Sequence, residues 1–271
     1  MTETMSAGFP VCMWRRIACV IVLCASIPTQ AATSVMIWPI DPVIESDQRA
    51  TALWLENRDV HPVTLQIRVL AWRQSGWEDL YAENQQRVVG SPPVANVSPG
   101  QRQLIRLTKL DDVAPGTETA YRVLVDEIPQ PRDPAVPESG STVGVRFQMH
   151  YSIPLFVNGA GVRTKDTAEH PREHDRLAVP ALVWQVALSE GKRWLVLSNR
   201  GAVHARITSL AVTSGATTTS VGEGLLGYVL PGAQMRWPLP EGMQASPASR
   251  LVATVNGVAG VLISSAQSLQ P

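Results

Sequence analysis

The chain has 271 residues, with 23 basic and 23 acidic side chains and a formal net charge of zero. A balanced charge provides no basic surface for nucleic acid or an anionic membrane, so we expect neither as a partner. All three cysteines, at positions 12, 19 and 24, precede residue 32. This placement excludes a disulfide framework and thiolate chemistry from the rest of the chain.

The first residues have the composition of an export signal. Arg15 and Arg16 precede an apolar run from Ile17 to Ile27, and small residues follow at Thr29-Gln30-Ala31. The run is too short to span a bilayer, and no later apolar run approaches the necessary length. We therefore predict a signal peptide over residues 1–31, export across the inner membrane, and no membrane insertion after cleavage.

Residues 32–157 alternate between short strand patterns and turns. Apolar and polar residues alternate in Ala50–Glu56 and in Val63–Trp72. Turn signals follow at Ser98-Pro99-Gly100 and Ala114-Pro115-Gly116. Roughly seven strands in about 120 residues predict an antiparallel β-sandwich of the immunoglobulin type.

The longest alternating pattern runs from Val143 to Val157, after a proline-rich loop. Every second residue is apolar. Between Val145 and Ile153 the alternate positions are polar: Arg146, Gln148, His150 and Ser152. This pattern predicts a strand with one apolar face. Because most strands have about 5–6 residues, we expect this one to extend beyond its own core. An apolar strand with an unpaired edge is a place where another chain adds itself.

A charged, glycine-containing and proline-containing segment at residues 158–180 predicts a linker. Residues 181–271 contain a second series of strand patterns, with turn signals at Pro231-Gly232 and Asn256-Gly257. Helical periodicity is nearly absent after the signal. The predicted fold class is therefore all-β, with two immunoglobulin-like β-sandwich domains.

Two strings match known chemical motifs but lack the structural context that the chemistry requires. His170, Glu173 and His174 match a zinc-protease pattern that needs a helix, whereas Pro171 lies within this charged linker. The string from Gly222 to Gly227 matches a dinucleotide-binding pattern, but a strand and a turn follow it, which favours an inter-strand loop. We predict no catalysis, cofactor or metal. A secreted metal-dependent hydrolase built on the three linker residues remains an alternative that metal analysis would test.

Several segments resemble the periplasmic pilus chaperones of the chaperone–usher pathway, the PapD-like family. The sequence AYRVLVDEIP, from Ala120 to Pro129, resembles the penultimate strand of their first domain, with its Glu-Ile-Pro ending. Val145–Val157 resembles the last strand of that domain, and its Ser-Ile-Pro-Leu-Phe-Val form looks most like the archaic or spore-coat-like branch. The resemblance spans the mature chain and is strongest from Ser98 to Val157.

The resemblance implies a boomerang of two immunoglobulin-like domains in the periplasm. Such chaperones bind pilus subunits that lack their own last strand and deliver them to an outer-membrane usher. The chaperone's long strand fills the gap by donor-strand complementation. Val145, Phe147 and Met149 would then insert into successive pockets of the subunit, with Tyr151 and Ile153 extending the set. Alternatively, these side chains pack the chaperone's own core.

The family pattern is broken at the site for the subunit's terminal carboxylate. Well-known members use an arginine on the first strand and a lysine on the last strand, whereas this chain has Asp41-Pro42 and Pro154 at those places. A partly buried carboxylate still requires a cation, preferably a guanidinium. We predict Arg122 as the replacement, with Arg102 and Arg106 as weaker candidates.

A different class of function also fits the composition. A secreted two-domain β-sandwich adhesin or structural surface protein would have the same strand content. Such a protein would not need a partner with a missing strand.

Overall fold

The computed structural model describes residues 35–129, 148–164, 177–243, 245–246 and 248–266. These residues form 17 β-strands in two domains, and no α-helix occurs among them. No membrane-spanning helix is found in this part of the chain. The all-β prediction is confirmed.

The first domain is a sandwich of two sheets. One sheet has the order β1-β3-β8-β6; the other has the order β2-β10-β9-β4-β5, with β7 also paired to β4. The strands are β1 (Val35–Trp38), β2 (Val43–Ile44), β3 (Ala50–Asn57), β4 (Val63–Ser75), β5 (Glu78–Ala82), β6 (Val88–Ser91), β7 (Val94–Val97), β8 (Arg102–Lys109), β9 (Glu118–Glu127) and β10 (His150–Asn158).

The second domain is one curled sheet of seven strands in the order β14-β13-β16-β17-β11-β12-β15. Its two ends meet, because Trp237 Nε1 on β15 donates a hydrogen bond to Leu226 O on β14 at 3.1 Å. The strands are β11 (Leu182–Ser189), β12 (Lys192–Asn199), β13 (Ala205–Ser214), β14 (Thr217–Val229), β15 (Gln234–Pro238), β16 (Arg250–Val255) and β17 (Val258–Ser265).

The core of each domain follows from the alternation of apolar residues along its strands. Leu53 and Leu55 on β3 and Ile105 and Leu107 on β8 are fully buried between the two sheets of the first domain. Leu155 on β10 faces them from the opposite sheet and is also fully buried. Period-two patterning therefore fixes which face of each strand is covered.

One local expectation is wrong. The string from Gly222 to Gly227 was expected to be an inter-strand loop, but it lies within β14. Register shifts interrupt its pairing with β13, and Gly224 and Gly227 have positive φ of 75° and 137°. Glycine allows these bulges because it has no Cβ to clash in that conformation. The segment provides no helix N-terminus for a pyrophosphate.

Candidate functional site

The two edges of β10 differ in their pairing. On one side β10 is antiparallel to β9 along its whole length, whereas β2 covers the other side only at Phe156 and Val157. Among the described residues, no strand pairs with this second side between His150 and Pro154. We call that side the open edge of β10.

The backbone alternation shows which residues point toward the open edge. Met149 O accepts a hydrogen bond from Glu127 N of β9 at 3.2 Å, whereas Phe156 N donates to Pro42 O on the opposite side at 3.2 Å. Successive residues of a strand point their backbone groups to alternate sides. His150, Ser152 and Pro154 therefore face the open edge, and His150 and Ser152 are exposed there.

The residues expected to insert into a subunit divide into three groups. Val145 and Phe147 lie outside the described residues. Met149 is half-buried, immediately before β10. Tyr151 and Ile153 face the first domain's own core: Tyr151 Oη accepts a hydrogen bond from Val35 N at 3.3 Å, and Ile153 is 7% exposed. In this conformation the side chain of Ile153 is not available to a partner.

Arg122 lies on β9, directly opposite Pro154 of β10 and Leu70 of β4. Its guanidinium carbon is 3.8 Å from the ring centroid of Trp72 and 5.2 Å from that of Tyr228 in the second domain. Stacking on an aromatic face holds a guanidinium in one plane. The Nε atom of Arg122 is buried and has no hydrogen-bond partner among the described residues. A buried N–H donor without a partner costs free energy, so binding of a hydrogen-bond acceptor at Arg122 Nε would be favourable.

The aromatic side chains around Arg122 have polar or charged neighbours of their own. Trp72 Nε1 donates a hydrogen bond to Asp79 Oδ1 at 2.8 Å. Burial raises the pKa of Tyr81, and Asp79 raises it further, while the positive charge of Arg122 acts in the opposite direction. Burial likewise raises the pKa of Tyr228, against the charges of Arg122 and Arg206. Arg122 thus lies among neutral aromatic side chains, since a raised pKa keeps the hydroxyls of Tyr81 and Tyr228 protonated near neutral pH.

The weaker arginine candidates are elsewhere. Arg102 and Arg106 lie on β8, in the other sheet of the first domain. Arg102 Nε donates to Glu56 Oε2 at 2.8 Å, and its guanidinium carbon is 5.3 Å from the ring centroid of Trp38. Among the described residues, Arg122 alone of the three candidates contacts an aromatic ring of the second domain, that of Tyr228, which places it at the junction of the two domains.

That junction has an aromatic and polar centre that sequence reasoning missed. The imidazole of His204 stacks on Phe156, with ring centroids 3.4 Å apart. His204 Nδ1 lies 2.9 Å from Glu118 Oε2, and the His204 backbone N donates to Glu118 Oε1 at 2.9 Å. The Glu118 side chain is fully buried. The pair ties β9 of the first domain to the start of β13, across 86 residues of sequence.

The β4–β5 hairpin makes a second connection between the domains. Gln74 Nε2 donates to Tyr228 O at 2.9 Å, and Leu230 N donates to Gln74 Oε1 at 2.8 Å. At the hairpin turn, Trp77 has a positive φ of 72°, and its ring centroid is 5.6 Å from the guanidinium carbon of Arg236. A tryptophan in this backbone region is unusual, and here its ring contacts the second domain.

Polar contacts also attach the start of β10 to the sheet. Asp126 Oδ1 lies 2.9 Å from His150 Nδ1, and Arg68 Nη2 donates to Asp126 Oδ2 at 2.9 Å. Burial raises the pKa of Asp126, but the contacts with His150 and Arg68 outweigh burial, so the pKa is lowered overall. These contacts hold His150, the first residue of β10, to β9, ahead of the residues of β10 that are buried in the core.

Comparisons with known proteins agree with this architecture. Residues 35–163 match the family model "Pili and flagellar-assembly chaperone, PapD N-terminal domain". The pre-assembly complex of the chaperone CsuC with the tip adhesion subunit CsuE, from the archaic chaperone-usher Csu pili of Acinetobacter baumannii, contains a chain that is 35% identical to this one. The match covers 85% of this chain and 97% of that chain, with a TM-score of 0.67.

More distant structures share the fold. The YadV chaperone is 16% identical, with 84% of this chain and 96% of that chain covered and a TM-score of 0.57. A chain from the complex of SafA pilin with the SafB chaperone of Salmonella enterica is 18% identical, with 86% and 94% covered and a TM-score of 0.55. None of the curated protein sequences matches the chain. The two-domain β fold and the similarity to the Csu complex together show that this chain belongs to the PapD-like family of pilus-assembly chaperones.

Proposed function

We propose that this chaperone binds pilus subunits by adding β10, and the segment before it, to an incomplete subunit sandwich. The single observation that carries the proposal is the open edge of β10, which no strand covers between His150 and Pro154 among the described residues. The similar Csu structure is a complex of a chaperone with a tip adhesion subunit, and the Saf structure is a complex with a pilin. Both complexes fit a client that is a pilus subunit.

The energetics favour such a complex. A sandwich that lacks one strand exposes an apolar groove and an unpaired backbone edge, and both are costly in water. Val145, Phe147 and Met149 continue the phase of the core-facing residues of β10, and they precede its described start. Burial of each such side chain stabilises the complex by roughly 1.5–3 kcal/mol. These three form the proposed insertion set; Tyr151 contributes at its boundary, and Ile153 supports the chaperone's own core.

Arg122 is the proposed anchor for the terminal carboxylate of the subunit. Its Nε is buried without a hydrogen-bond partner among the described residues, and its guanidinium is stacked on Trp72. A carboxylate would supply the missing acceptor and form a charge-assisted hydrogen bond. Because the aromatic rings already fix the guanidinium plane, little side-chain entropy is lost on binding.

The proposal includes the cellular route. Residues 1–31 are removed on export, residues 32–157 form the subunit-binding domain, residues 158–180 link the domains, and residues 181–271 form the second domain. The loaded chaperone then delivers the subunit to an outer-membrane usher in the periplasm.

The test is co-expression with pilus subunits of the organism that produces the chaperone. We expect the subunits to accumulate in the periplasm as one-to-one complexes with the chaperone, and to be degraded or aggregated without it. Equal subunit recovery with and without the chaperone would contradict the proposed function.

A further inference from the structure

The open edge of β10 ends at a residue that cannot continue a hydrogen-bonded ladder. Pro154 faces this edge, because Phe156 two residues later donates its N–H to the same side. Proline has no N–H, and within sheets it is found where that position faces away from a paired strand. Exposure along this face of β10 also ends at Pro154: His150 and Ser152 are exposed, whereas Pro154 is buried.

The chain itself occupies the edge beyond this point. β2 pairs with β10 in parallel orientation, with Val43 opposite Phe156 and Ile44 opposite Val157. A client strand added in the same parallel orientation would run along His150 and Ser152 and reach Pro154 with its carboxyl end. Beyond this point it would compete with β2, a strand of only two residues.

Arg122, the proposed anchor for the carboxylate, lies beside Pro154 on the neighbouring strand. Arg122 is the direct cross-strand partner of Pro154. Directly opposed residues in an antiparallel pair project to the same face of the sheet. Because odd-numbered residues such as Met149 form the hydrogen bonds with β9, Pro154 and Arg122 form a non-hydrogen-bonded pair, in which the two residues approach most closely.

We infer that Pro154 is a register stop for the client strand. By removing the backbone donor at the end of the open edge, it prevents a client strand from sliding toward β2, and the client's terminal carboxylate then stays beside Arg122. The apolar pattern alone does not fix this register, because a slip of two residues keeps every side chain on its original face. This inference rests on the proposed function and assigns a positioning role to a residue that replaces a charged one in the family pattern.

The experiment measures register directly by disulfide cross-linking. The chain after residue 31 has no cysteine, so Ser152→Cys provides a unique thiol at the exposed edge. It is paired with single cysteines placed at successive positions in the last strand of a pilus subunit that the chaperone binds. With Pro154 present, we expect one cross-linking position. With Pro154→Ala or Pro154→Val, we expect a second position, displaced by two residues.

A subunit extended by Gly-Ser at its carboxyl end gives a gain-of-function readout. The natural chaperone should bind the extended subunit about tenfold more weakly than the unextended one, because the added residues have no ladder to join. Pro154→Ala should recover most of that loss, a result that a folding defect could not produce. Pro115→Ala, in an exposed turn of the first domain, is the matched control and should behave like the natural chain.

The outcomes separate the two claims. An identical single cross-link and identical discrimination in Pro154→Ala and the natural chain would overturn the register stop and leave the proposed function intact. Loss of subunit binding in the natural chain itself would overturn the proposed function.

Discussion

The two domains end in strands that are built alike but used differently. β10 closes the first domain and β17 closes the second; each is antiparallel to the strand before it and parallel, over two residues, to an early strand of its own domain. In the first domain the parallel partner is β2, and in the second it is β11. Equivalent topology therefore does not explain why only one of them is a candidate for binding another chain.

The difference lies in the regularity of the two edges. β17 follows a two-residue turn at Asn256-Gly257, contains Gly260 with a positive φ of 73°, and has a register shift in its pairing with β16. Bulges and glycines make an edge a poor template for another strand. β10 pairs with β9 without a register shift, and apolar alternation continues in the sequence before it. Exposed apolar residues such as Leu262 on β17 are thus insufficient for strand addition.

The largest expected effect comes from placing a charge on the insertion set. Phe147→Asp or Met149→Asp should weaken subunit capture at least about 100-fold, because an apolar contact is lost and a carboxylate is buried without a partner. The variants should remain folded, since the change precedes the core-forming part of β10. Subunit recovery and binding affinity are the measurements. Leu262→Asp, at a position 65% exposed on β17, is the matched control. If it reduced capture equally, the contrast between the strands would be lost.

The next effect concerns the anchor. Arg122→Ala should weaken subunit binding about 10- to 100-fold, in line with about 1.5–3 kcal/mol for a hydrogen bond to a charged group, and Arg122→Lys should recover part of it. Titration calorimetry with a purified subunit measures the change. Arg102→Ala removes another arginine that lies over a tryptophan and should leave affinity unchanged. Unchanged affinity in Arg122→Ala would place the anchor at another residue.

A third effect should appear in stability. His204→Ala leaves the fully buried Glu118 carboxylate without its ring partner, and we expect the free energy of unfolding to fall by about 2–4 kcal/mol. Urea denaturation measures the loss. His61→Ala is the control, because His61 is 74% exposed where it meets Asp59 and should change stability by less than about 1 kcal/mol. A small effect at both sites would mean that the junction does not support the end of β10.

The smallest effect depends on pH. The contacts with His150 and Arg68 lower the pKa of Asp126 despite its partial burial. A carboxyl group with a lowered pKa in the folded state stabilises the protein above its unfolded pKa of about 3.9. That stabilisation is lost as pH falls through the folded value. Asp126→Asn should therefore reduce stability by up to about 1 kcal/mol at pH 7, and this difference should shrink as pH falls below about 3.9. A constant difference across this range would contradict the assignment.

The sequence predicts the strands far better than it predicts their partners. Period-two alternation identified the apolar face of β10, and Asn256-Gly257 identified the turn between β16 and β17. The same alternation could not say that Ile153 faces the chaperone's own core, because a strand presents an identical pattern to either partner. Only folding brings His204 to Glu118 and Gln74 to Tyr228, which are separated by 86 and 154 residues. The stacking of Arg122 on Trp72 likewise has no local sequence signal.

Amide hydrogen exchange at the two edges of β10, followed residue by residue with and without a bound pilus subunit, tests the central claim most directly. The N–H groups of His150 and Ser152 face the open edge and should exchange rapidly in the free chaperone and slowly in the complex. Those of Tyr151 and Ile153 point toward β9 and should be protected in both states, while β17 should not change. Equally rapid exchange of His150 and Ser152 in the free and bound states would contradict strand addition at β10.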